Sequence, residues 1–203
     1  MIDPTLRPQR EIRANYSDDT IRVYQAYSRE IAEPALAAQR FVSPFKMTRM
    51  TWIKPSFFWM MYRSGWATKP GQERILAIDI ERCEFDWSLL QGCLSHFDPE
   101  VYDSYDEWVD QKQLSPVRIQ WDPERNYNLE RFDYRSLQVG LSGDAAKLYT
   151  SVWIRSITDI TDKAKLIRFS TGASRNAMAA EITDEERPYP ISMSIAQRIG
   201  AST

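Results

Sequence analysis

The sequence predicts an α+β fold: a single domain whose core is a mixed or antiparallel sheet with flanking helices. Three observations carry that expectation. Strand-like alternation and helical stripes follow one another without strict βαβ repetition. No internal repeat and no Gly/Ser linker divides the 203 residues. The composition, 43% apolar and 27% charged, is that of a globular chain long enough to bury roughly 70% of its unfolded surface without a disulfide or a metal.

Residues 1–15 read as a loosely held N-terminal arm, 16–170 as the α+β domain and 171–203 as a weakly patterned C-terminal segment. From Thr20 to Tyr27 the chain alternates as a strand, with Ile21, Val23, Gln25 and Tyr27 on one face and Arg22, Tyr24 and Ala26 on the other. Ser28 opens a helix whose stripe is Ile31, Ala32, Ala35, Leu36 and Ala38, ending near Gln39 or Arg40; Pro34 fits only in its first turn. Thr51 to Lys54 is extended, since Pro55 biases the residue before it away from helix, and Ser56 caps a second helix from Phe57 to Trp66. That helix is apolar nearly all round, so it must be buried on most sides. Gly65 ends it, residues 68–72 turn, and Arg74 to Ile80 is a strand.

Phe85 to Gln113 reads as two short helices joined by residues 96–99, with Trp108 and Val109 facing inward. Pro116 to Trp121 is a strand, Asp122 to Arg125 a turn, Tyr134 to Leu141 a further strand, and residues 142–145 open a helix running to about Ser156.

Charge excludes several classes of function. With 26 Lys+Arg against 28 Asp+Glu the chain is no polybasic binder. Charge is nonetheless uneven: residues 1–70 carry eleven basic and six acidic side chains, whereas 79–110 carry ten acidic ones against Arg82 alone. The N-terminal third is the part suited to anions, and the acidic stretch 98–110 is suited to a basic partner. Cys83 and Cys93, without a clustered histidine, are too few for a tetrahedral zinc site, and no metal is expected. Reduced thiols, no signal-peptide core and no run approaching a membrane span point to the cytoplasm. The phosphate loop, the dinucleotide fingerprint, the HExxH helix and the nucleophile elbow are all missing, so ordinary kinase, dehydrogenase, metalloprotease and hydrolase readings fall.

The residues with chemical promise fall into three groups. Lys46 to Arg63 interleaves four basic residues with aromatics, the pairing that stacks on a base or nicotinamide ring while cations meet phosphates. The same spacing suits aromatics in a core with cations at its rim. Within that segment Lys54 stands at a strand end beside Ser56, where free backbone N–H groups favour an anion. His96 is the only histidine, so any histidine-dependent acid/base step must use it. Ser136, Gln138 and Gly140 share a strand face, with Gly140 allowing close approach.

The segments Arg10 to Ala14, Ile21 to Tyr27, Arg40 to Ala67, Cys93 to Pro99, Pro116 to Arg125 and Tyr134 to Gly143 resemble the family catalogued as domain of unknown function 4291, which is widespread in bacteria and occurs in some fungi. The order of parts is more distantly similar to the ADP-ribosyltransferase fold, especially its nucleic-acid-modifying branch. There a first strand leads into a helix, a second passes through a Pro into an apolar helix containing Tyr, and a later strand presents a glutamate. The corresponding pieces are residues 23–28, 52–62 and 136–139, with Gln25 where a histidine or arginine usually stands and Gln138 at the acidic position.

This second resemblance implies NAD+ as substrate, with Gln138 and Gln25 as candidate catalytic residues; His96 joins them only as the lone histidine. The resemblance implies Arg22, Tyr24, Arg49, Trp52, Lys54, Ser56 and Tyr62 as dinucleotide contacts: Arg22 or Arg49 for the pyrophosphate, Tyr62 for stacking, Gln138 for the ribose. The acceptor would be a nucleic acid or a small molecule. A neutral Gln in place of the carboxylate stabilises an oxocarbenium-like transition state poorly, at a cost on the order of a hundredfold in rate. The alternative is a non-catalytic nucleotide or nucleic-acid binding module built on residues 46–63.

Overall fold

A computed structural model describes residues 7–202. Two sheets organise it. The first is antiparallel and three-stranded, with order β2 (Thr20–Tyr27), β4 (Arg74–Glu81), β8 (Ile154–Asp159). The second runs β3 (Thr51–Ile53), β7 (Arg131–Leu141), β6 (Val117–Arg125), β5 (Gly92–Leu94), antiparallel except for the parallel pair of β5 and β6. A two-residue ladder joins β1 (Arg13–Ala14) to β9 (Arg187–Pro188). The helices are α1 (Arg29–Ala38), α2 (Phe57–Ser64), α3 (Arg82–Leu90), α4 (Tyr105–Leu114), α5 (Gly143–Leu148), α6 (Thr161–Phe169), α7 (Gly172–Glu185) and α8 (Met193–Ile199). The fold is α+β with mixed and antiparallel sheets.

β4 takes the centre of its sheet because Ile75, Leu76, Ala77, Ile78 and Ile80 are apolar on both faces. One face joins Ile21, Val23, Val117, Ile119, Val139 and Trp153 in the larger core. The other carries Ile75 and Ala77 into a second cluster with Tyr24, Phe57, Phe58, Met61 and Trp66, closed by Ile167 of α6 and Ile182 of α7. The all-round apolar helix α2 is thus wedged between sheet and helices, leaving Tyr62 and Arg63 exposed. Ser56 accepts a hydrogen bond from the Trp59 N–H at 3.2 Å, and Gly65 in the left-handed region closes the last turn.

Several elements depart from the sequence reading. From residue 7 onward the N-terminal arm is held rather than loose: Ile12 and Ala14 are buried, and Arg10 reaches Asp98 at 2.7 Å and the Ser202 hydroxyl at 3.0 Å. The rest of the arm lies outside the described residues. The C-terminal segment forms α7, β9 and α8, with Ile195 and Ile199 in the core. Pro34 sits beyond the first turn of α1, which forgoes the bond to the Glu30 carbonyl and still continues to Ala38. Residues 122–125 extend β6 instead of turning. β5 covers only Val117 to Ile119, so Pro123 lies where β6 has no neighbour on that side and its missing N–H leaves no gap. The helix opened at Gly143 passes through a wider π turn, Tyr149–Trp153, and gives way to β8, where Ile154, Ile157 and Thr158 favour a strand against β4.

Ile78 has no exposed surface at the middle of the central strand. Ile78→Ala is expected to lower unfolding free energy by about 2–5 kcal/mol, read as a shifted midpoint in urea denaturation with an unchanged slope.

Candidate functional site

β2 and β3 come side by side but share a single backbone hydrogen bond, from the Tyr24 N–H to the Lys54 carbonyl at 2.8 Å. Two residues further along, at Ala26 and Trp52, where a continuous antiparallel pair would make its next backbone bond, the strands part and the intervening Gln25 side chain takes over. Gln25, 2% exposed, lies within 2.9 Å of the Thr51 hydroxyl, the Trp52 carbonyl and the Tyr27 hydroxyl through its amide nitrogen, and accepts from the Tyr149 hydroxyl at 2.7 Å. Tyr27 and Thr51 complete the network at 3.2 Å.

The parted strands leave a crevice of about 440 Å³, a size suited to a small ligand or part of a dinucleotide. Gln25 of β2, Thr51 and Trp52 of β3, Trp59 and Arg63 of α2, and Gln138 of β7 line it, with Arg49 on the loop before β3. Arg49 and Arg63 are exposed, and neither forms an ion pair among the described residues. Register explains the Trp52 placement: it lies opposite Gly140, where an added Cβ would come within 2.6 Å of the Met50 sulfur and 2.9 Å of the Trp52 ring. The close approach expected at Gly140 is therefore made by the protein's own side chains. Gly140→Ala should push the indole toward the crevice, shift the tryptophan emission and cost about 1–3 kcal/mol.

The sequence candidates divide. Gln25, Arg49, Trp52 and Gln138 meet at the crevice. Arg22 points to the other face of β2, bound to Asp79 through two hydrogen bonds of 2.8 and 3.0 Å. Tyr24 is buried edge-on against Phe57 at 5.6 Å, and burial drives its phenol well above the ordinary range. Tyr62 is 40% exposed beneath the Arg125 guanidinium, which lies 3.8 Å from its ring centre. Ser56 opens on another hollow and donates to Glu124 at 2.8 Å. His96 is exposed and lines a third hollow, of about 340 Å³, with Asp98, Gln120 and Arg135. Most rings of segment 46–63 went inward, as Phe57 and Phe58 did; Trp52 and Trp59 alone among them reach the crevice. Thr51, Trp59 and Arg63 were not singled out from sequence. Their signal was weak because each stands in a patterned stretch that a core would also produce.

Lys54 lies beneath this site, 1% exposed. Its ammonium is 3.1 Å from Asp122, 3.4 Å from the Ser136 carbonyl and 3.9 Å from the Trp59 ring centre. It ties β3, β6, β7 and α2 together. Burial pulls its pKa down to about 8, against the opposing pull of Asp122 and Glu124. Below pH 8 both folded and unfolded chains carry the proton, and the full cost of burying the charge is present. Between about 8 and 10.5 the unfolded chain binds more protons, so stability relative to Lys54→Met should rise with pH, by about 3 kcal/mol across the window. Denaturation of both proteins at matched pH reads that difference.

A family model described as Domain of unknown function (DUF4291) matches residues 11–189. The chain belongs to this family. Among curated proteins none matches it. The DUF4291 span contains every residue that lines the crevice, whereas α8 lies beyond it. Among the described residues of this DUF4291 protein, no cluster of His, Cys, Asp or Glu side chains is arranged to hold a metal, and no helix is long and apolar enough to cross a membrane.

Proposed function

We propose that the crevice between β2 and β3 binds NAD+ and that the domain is ADP-ribosyltransferase-like, transferring ADP-ribose slowly to a nucleic acid or a small acceptor. The observation that carries this reading is convergence: three stretches remote in sequence, around Gln25, Trp52 and Gln138, meet at one open crevice beside two unpaired arginines. The connections agree with the order implied by the resemblance. β2 runs into α1, β3 passes through Pro55 into α2, and β7 presents Gln138.

In this reading Arg49 and Arg63 meet the pyrophosphate, since guanidinium groups match phosphate oxygens bidentately. Trp52 and Trp59 offer ring faces for the nicotinamide or adenine. Gln25, held by its own network, keeps the wall in place and is a positioning residue. Gln138 is left to hydrogen-bond the ribose. The carboxylate nearest in register is Asp122, on the same sheet face: Gln120 pairs with Gln138, and Asp122 follows two residues along β6. Asp122 is held by Lys54 and by the Gln120 amide at 2.9 Å. A neutral Gln at the reacting ribose would make turnover slow.

Titration with NAD+ tests the reading. Binding should raise the melting temperature at millimolar NAD+, labelled NAD+ should release nicotinamide, and Arg49→Ala should weaken binding by about tenfold or more, the worth of a charge-assisted phosphate contact. The absence of both a thermal shift and nicotinamide release would reject it. Binding of RNA or DNA that falls steeply with salt, without any NAD+ effect, would favour instead the nucleic-acid module built on residues 46–63.

A further inference from the structure

The hollow at the start of α2 shares no lining residue with the crevice and has a different chemistry. It measures about 440 Å³ and lies between α2, the β6–β7 hairpin and α7. Its walls are aromatic: Phe58, Tyr127, Phe132 and Tyr134, the last two stacked at 4.8 Å with 16° between their planes. From α7 it receives small side chains, Ala179 and Ala180.

Three carboxyl side chains line this space: Asp184, which is exposed, and the more enclosed Glu186 and Glu124. Glu186 is 8% exposed; its Oε1 accepts from the Phe57 N–H at 2.7 Å, and its Oε2 has no hydrogen-bond partner among the described residues. Glu124 accepts from the Ser56 hydroxyl at 2.8 Å and from the Arg125 N–H at 2.7 Å, both through Oε1. The three arginines that also line the hollow have partners other than Glu124 and Glu186. Arg7 donates to the Tyr134 hydroxyl at 3.0 Å, Arg13 pairs with Glu11 at 3.1 Å, and Arg125 lies over Tyr62 and donates to the Leu129 carbonyl at 3.2 Å. Among the described residues no cation forms an ion pair with Glu124 or Glu186.

We infer that this hollow is a second binding site, for an organic cation with a planar nitrogen head, a guanidinium or amidinium, held by Glu124 and Glu186 against the rings of Phe58 and Phe132. Buried carboxyls require a counter-charge or a proton. A planar nitrogen fork satisfies carboxylate oxygens in pairs, and aromatic faces attract the cation. In the absence of such a cation, burial favours the proton. Burial, with the charges of Glu124 and Glu185, raises the Glu186 carboxyl well above its ordinary value, against the Phe57 N–H and Arg13. Asp184, Arg7 and Tyr134 face the same space. A bound cation would displace that proton.

The inference stands apart from the NAD+ reading and is tested separately, by calorimetric titration of the full chain with agmatine and with a capped arginine peptide. Saturable binding of either probe is expected; the tighter of the two tells whether the source is a small molecule or a protein side chain. Affinity should rise with pH as binding releases the Glu186 proton, seen as a dependence of the heat on buffer ionisation enthalpy. Glu186→Gln should weaken binding by about tenfold or more. Phe132→Ala, on the half-buried wall, should weaken it too, and decides the matter if the first variant fails to fold. No saturation at millimolar concentration of either probe, equal binding of a neutral urea analogue, or affinity unchanged in the folded variants would overturn the inference.

Discussion

The structure turns on one buried carboxamide. Where β2 and β3 stop being a sheet, their backbone groups would face each other unpaired, a cost of about 1–3 kcal/mol for each buried group left so. Gln25 fills the gap. Its amide meets the Trp52 carbonyl and the Thr51 hydroxyl while its own carbonyl takes the Tyr149 proton. Without that substitution the strands would have to zip together, closing the crevice, or separate and admit water to the core. The π turn contributes as well, since it begins at Tyr149, the residue that closes the network.

Around this junction charge is sorted by depth. Lys54, directly below, is matched by Asp122 and by the face of Trp59. Many cations of the basic N-terminal third are matched inside the protein: Arg10 by Asp98, Arg13 by Glu11, Arg22 by Asp79. Their positive charge is therefore unavailable to a ligand. Arg49 and Arg63 differ, being exposed at the crevice, and they rather than the count of basic residues make the site attractive to an anion.

Local patterns were legible in the sequence wherever burial was one-sided or complete. Thr20 to Tyr27 and Arg74 to Ile80 announced themselves by alternation and by a continuous apolar run; Ser56 and Gly65 marked the ends of α2 by capping chemistry. Less legible were elements decided by distant partners. Gly92 to Leu94 is a strand because β6 lies beside it, and Ile12 and Ala14 are buried because residues 187–202 fold back to cover the chain near them. Pro123 misread as a turn shows the same thing: its tolerance depends on where β5 stops. In the site, Gln25, Arg49, Trp52 and Gln138 were identified as ligands-in-waiting and do converge, but Gln25 proved to be occupied by the protein. Arg22, Tyr24 and Ser56 were drawn elsewhere by Asp79, Phe57 and Glu124, partners no spacing rule could supply.

The most direct test of the account is a crystal structure of the full chain soaked with NAD+. Density for the dinucleotide bounded by Trp52, Arg49 and Gln138, with Gln25 still bonded to Thr51 and Trp52, is the result it predicts. Strands β2 and β3 zipped shut across the junction, or the dinucleotide bound away from it, would contradict the account.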